Sequence, residues 1–167
     1  MTKIKFGRRS GLTIIELIMT LAILSILAGL ILPSARLMAK RSKEIELRRN
    51  LRIIRNAIDD FRKTQDKACE QAPATKGCEA GKSRYPESLD VLVEGFDFGG
   101  IKPEKKKFLR RIPADPFVDK NTVSSPGWGL RSYADDECGP NKGGDDIYDV
   151  CSTSDETAID GTKYKDW

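Results

Sequence analysis

Hydrophobic positions along this chain fall into three regimes. From Leu12 to Leu32 the run LTIIELIMTLAILSILAGLIL is apolar almost without interruption, and Glu16 is its one charge. At 1.5 Å per residue a helix of that length spans about 30 Å, the hydrocarbon thickness of a bilayer. A secretory signal would be shorter and would close on a small-x-small cleavage site, whereas Leu32 leads into Pro33-Ser34-Ala35-Arg36. In the second regime the apolar residues thin to a stripe. Leu47, Leu51, Ile54, Ile58 and Phe61 recur at spacings of four and three, which predicts one buried face of an amphipathic helix reaching about Lys67. A helix from Leu12 to Lys67 would be about 80 Å long, too long for a small domain to cover. One half must therefore pack on lipid or on other copies. Pro33, with Gly29 before it, weakens the hydrogen-bond ladder at the junction and predicts a break or bend there.

The third regime begins near Ala72, where APATKGCEAGKSRYP is polar and turn-rich. Glu87 to Val93 reads as a short helix, and residues 94–107 as a loop ending in a solvated lysine run. Ile112-Pro113-Ala114-Asp115-Pro116-Phe117 reads as extended, Pro-fixed chain. Trp128 to Ala134 and Asp146 to Cys151 alternate and carry β-forming residues, predicting two antiparallel strands joined by the Gly-rich stretch 139–144. The fold class that follows is α+β: a long N-terminal helix, half of it transmembrane, packed on a small antiparallel sheet. The domain boundaries are a basic leader at 1–11, an apolar helix at 12–32, an amphipathic stem at 33–68 and a globular head at 69–167.

Charge changes the picture in one respect. The net charge is +4, from 29 Lys and Arg against 25 Asp and Glu. Lys3, Lys5, Arg8 and Arg9 account for the whole excess, so it belongs to the leader and argues against nucleic-acid binding. Positive charge beside an apolar run holds that end in the cytoplasm. The rest is polarised. Arg36, Lys40, Arg41, Lys43, Arg48, Arg49, Arg52 and Arg55 make the stem basic, whereas 135–167 holds ten acids against three lysines. That asymmetry predicts head-to-stem contact between copies, or a solvated helix face with internal pairs.

The chain has no histidine, which removes Ser-His-Asp and Cys-His catalysis and His-containing zinc sites. No phosphate loop or carboxylate pair stands in for them, so no enzymatic constellation is visible. Cys69, Cys78, Cys138 and Cys151 all follow the apolar run, and an even count on an exported side predicts disulfides rather than free thiols or an all-cysteine metal site. Three pairings are open. Local pairing, Cys69 with Cys78 and Cys138 with Cys151, is preferred because each closes a short loop bearing Gly or Pro, at about 3 kcal/mol per bridge in the chain-entropy picture.

The junction Gly11-Leu12-Thr13-Ile14-Ile15-Glu16-Leu17, a basic leader ending in Gly and an apolar run with Glu at its fifth position, resembles the class III signal of type IV pilins and pseudopilins. The resemblance implies that prepilin peptidase cuts between Gly11 and Leu12, that Leu12 becomes an N-methylated N-terminus where Phe is usual, that Glu16 serves assembly, and that Pro33 is the family's helix-breaking proline. Further along, Tyr85-Pro86-Glu87-Ser88-Leu89, the 112–117 segment, Trp128-Gly129-Leu130-Arg131-Ser132-Tyr133 and Asp146-Ile147-Tyr148-Asp149-Val150 occur in the order found in the head of the major pseudopilin of type II secretion systems. The function this implies is structural: a single-pass protein of the bacterial inner membrane with a periplasmic head, polymerising with copies of itself, minor pseudopilins and an inner-membrane assembly platform to drive protein export. A type IV pilus or competence pilin subunit is the nearest alternative, and a membrane-anchored periplasmic binding domain is one of another class. The same resemblance implies calcium in the C-terminal loop, for which Asp155 and Asp160 are the candidate ligands. Glu156-Thr157-Ala158-Ile159 replaces the family's Gly-rich run there, and Lys163 stands where an acid is usual.

Overall fold

An apolar run with no competing turn signal folds as helix, and the computed structural model, which describes residues 11–73, 77–79, 81–99, 104–118, 127–140 and 143–167, has helix α1 from Ile14 to Gln71. The chain divides into two compact units, 1–40 and 41–167. In the first, the described side chains from Leu12 to Met38 are exposed. Thr20 and Ser25 donate their hydroxyls to the carbonyls of Leu17 and Leu21, so those polar groups are satisfied within the helix. α1 continues through Pro33, so the helix does not end there. Proline removes one N–H from a ladder held on both sides by many others, which is a local loss rather than a terminator. The side chains of 30–33 lie outside the described set.

In the second unit, from Arg41, the stripe expected of the stem is buried: Leu47, Leu51, Ile54, Ile58 and Phe61 form the floor of the core. The stem is thus part of the head's compact unit rather than a separate segment, because that stripe has no other cover. Above it lies helix α2, Leu89–Glu94, with Leu89 and Leu92 buried. Gly95 ends it with φ of 92°, a conformation that suits a residue without Cβ. Residues 94–107 are not simply a loop. β1 (Phe96–Asp97) pairs antiparallel with β2 (Lys105–Lys106), and Phe96, Phe98 and Phe108 gather round Phe61 with ring centroids 5.3–5.5 Å away.

The second sheet pairs the two expected segments, with the first strand ending three residues sooner and the second beginning three residues later and running one residue further. β3 (Trp128–Arg131) pairs antiparallel with β4 (Asp149–Ser152), with Gly129 opposite Cys151 and Leu130 opposite Val150. Gly129 is required there: a Cβ would sit 2.6 Å from the Cys151 Sγ. Both disulfides take the local pairing, Cys69–Cys78 and Cys138–Cys151. The Pro-fixed segment is clamped by polar contacts. The buried Asp115 carboxylate accepts from Ser152 Oγ at 2.6 Å and Phe117 N–H at 2.8 Å, Trp128 Nε1 donates to the Pro113 carbonyl, and Asn50 donates to that of Ala114. A short 3-10 turn, Tyr164–Asp166, closes the chain over the core with Tyr164 fully buried.

Candidate functional site

Two regions carry residues singled out by the sequence: the start of α1 and the C-terminal segment. At the first, Gly11, Leu12 and Thr13 precede the helix and are exposed. The expected scissile bond between Gly11 and Leu12 therefore lies in non-helical chain, where a peptidase need not unwind α1 to reach it. Residues 1–10, including the basic leader charges, lie outside the described residues. Thr13 caps the helix: its Oγ1 accepts from the Glu16 N–H at 3.3 Å. Thr13 and Glu16 have the spacing of a capping box, a signal the sequence reading missed. The Glu16 carboxylate itself, exposed in the first turn among Leu12, Ile15, Leu17 and Met19, makes no hydrogen bond or ion pair among the described residues. α1 is long and apolar enough to cross a membrane.

In the C-terminal segment the structure does not bring Asp155 and Asp160 together as ligands. Asp155 pairs with Lys165, 3.0 Å away, and that bond holds its carboxyl below the usual range while raising the lysine. Asp160 accepts from the hydroxyl and N–H of Thr162, which lower it in the same way, and its other oxygen meets Arg48 at 3.3 Å. Among the described residues no group of three or more acidic, Cys or His side chains is arranged to hold a metal. Calcium needs six to eight oxygen ligands, and here both carboxylates are already occupied by the chain's own donors and cations. The residues do not fit the ion.

The stem's basic face is also partly spent inside the subunit, contrary to its wholesale use between copies. Arg55 donates to Asp149 Oδ1 at 2.7 Å and to the carbonyls of Val150 and Trp167, and Arg48 stacks on the Trp167 ring at 4.1 Å. Glu44, buried among those bases, accepts from the Tyr164 hydroxyl and the Ile159 N–H, both at 2.8 Å. Burial first, then that bond, pushes the Tyr164 phenol well above its ordinary value.

An open groove of about 1050 Å³ is lined by Tyr85, Tyr133, Asp135, Asp145 and Phe61, among others. Its lining mixes aromatic rings and the acids Glu87, Asp135, Asp145 and Asp146 with two cations, Lys82 and Arg84. The Ser132 hydroxyl at its edge donates to the buried Asp146 carboxylate. No protein-family model, curated protein or solved structure matches the chain.

Proposed function

We propose that this chain is a pilin-like filament subunit, the structural subunit of a type II secretion pseudopilus, assembled from the bacterial inner membrane to drive protein export. The observation that carries the reading is the first unit of the chain: its described residues from Leu12 to Gly29 and from Ser34 to Met38 are exposed and largely apolar, and the Glu16 carboxylate in the first turn has no partner among the described residues. A surface so large and apolar needs lipid or sister helices around it. A carboxylate in that setting costs several kcal/mol unless neutralised.

Cleavage after Gly11 supplies the neutralising group, an α-amine on Leu12. As a subunit leaves the membrane for the fibre, its amine comes to rest beside Glu16 of a neighbour. Both charges are satisfied in one axial register and left bare in others, so the pair sets the stagger between subunits. The disulfide-braced second unit is then the periplasmic head, in a compartment where such bridges persist.

The test is Glu16→Leu in cells that supply prepilin peptidase and the assembly platform. The variant is expected to reach the membrane and be cut normally, but to form no sheared or microscopically visible polymer. Polymers at the parental level would refute the role of Glu16.

A further inference from the structure

Once Arg48 and Arg55 are bound within the subunit, a narrower basic surface remains on α1. Arg41, Ile45, Arg49, Arg52 and Asn56 follow one another at spacings of four, four, three and four, on the side of the helix opposite Leu47, Leu51, Ile54 and Ile58. Ile45 is 62% exposed, and Ile53 beside the stripe is 38% exposed. Arg41, Arg49 and Arg52 make no hydrogen bond or ion pair among the described residues. This surface combines free guanidinium groups with solvent-exposed isoleucine.

A surface of matching chemistry lies on the same unit at the rim of the large groove. Tyr85, Tyr133 and Tyr148 form one cluster there, with ring centroids 5.1–6.0 Å apart. Arg62 lies over Tyr85 at 4.8 Å and Arg131 over Tyr148 at 5.0 Å. Tyr133, the most exposed of the three at 67%, has no cation over it among the described residues. Asp145 shares the lining of that groove with Tyr133 and lies within electrostatic reach of Lys82, and Asp136 follows Tyr133 by three residues; both acids are exposed and make no ion pair among the described residues. The cluster thus has two tyrosines carrying an arginine and a third with none over it among the described residues, and the Asp145 carboxylate shares its groove.

We infer that this rim is the seat for the basic stripe of a second copy of the chain, with Arg49 and Arg52 of one copy reaching Tyr133, Asp136 and Asp145 of the next. Guanidinium groups suit both halves of such a seat, as they stack on aromatic rings and pair with carboxylates. Ile45 and Ile53 supply apolar contact beside them. The inference rests on the filament reading and specifies one of its contacts. The groove packs against Phe61 and Gln65 of α1, about 18 to 24 Å farther along the helix than Arg49 at 1.5 Å per residue. Copies that share one membrane orientation cannot pair these surfaces reciprocally. The contact is head-to-tail, and a contact of that kind repeats into an open helical series rather than closing as a dimer.

The experiment is a charge exchange in the full-length protein, scored as sheared polymer per cell in a strain with an active prepilin peptidase. Arg49→Asp with Arg52→Asp is expected to lower polymer at least about tenfold, as is Asp136→Arg with Asp145→Arg, while cleavage after Gly11 and the melting temperature of the detergent-solubilised protein stay at parental values. All four substitutions in one chain are expected to restore polymer to within about threefold of the parent. Normal polymer from either double variant overturns this contact alone, as does a fourfold variant no better than the doubles. Absence of polymer from the unaltered chain overturns the filament reading and the contact with it.

Discussion

Glu44 and Tyr164 show how single residues tie the last turn of the chain to the stem. The phenol is buried and donates to a carboxylate, so its ionisation in the folded protein is raised above the ordinary value of about 10. The unfolded chain therefore loses that proton first as pH climbs. The stabilisation is fully present below about pH 10 and drains away as the pH rises toward the folded value. Thermal melts between pH 8 and 11 are expected to show a steeper loss for the parent than for Tyr164→Phe, which itself costs about 1–3 kcal/mol at neutral pH because Glu44 loses a donor. Equal slopes would contradict this assignment. Packing by Tyr164 and Trp167 was legible as a way to hold the C-terminal loop, but Glu44 was not: it lies 120 positions from its partner, and nothing local separates a buried acid from a surface one. The same holds for Asp115 and Arg55. The cysteine pairs could be read because each bridge spans only 9 or 13 positions.

Among the elements, the ones with a long period were the ones the sequence revealed. The stem stripe buries the face the spacing predicts, and the β3–β4 ladder forms within the expected segments apart from Ser152, although its burial does not alternate along the strands. β1 and β2 have two residues each, too few for any alternation to register, and their pairing depends on phenylalanines that meet only around Phe61. The C-terminal segment shows the opposite failure. Its acids suggest a cation, but the cations are Lys165 and Arg48, which composition alone cannot place in space. A loop held this way needs no metal. Calcium at millimolar concentration, or its removal by a chelator, is expected to leave the melting temperature unchanged to within about 1 °C, since a ligand that binds neither state shifts neither. A calcium-dependent rise of several degrees would show that the pairs give way to the ion.

At the scale of the whole molecule, the two units divide the labour. Residues 41–167 carry the buried core and both disulfides. In the unit up to Lys40, the described residues from Leu12 to Gly29 and from Ser34 to Met38 are exposed. That imbalance was readable from the lengths of the apolar run and stripe, because no fold of this size covers both. The filament account turns on processing at the boundary that frees the Leu12 amine. Mass spectrometry of the protein taken from cells with an active prepilin peptidase tests this most directly. The expected species runs from a methylated Leu12 to Trp167 with both disulfides formed. A chain that still begins at Met1 in the membranes of such cells would contradict the account.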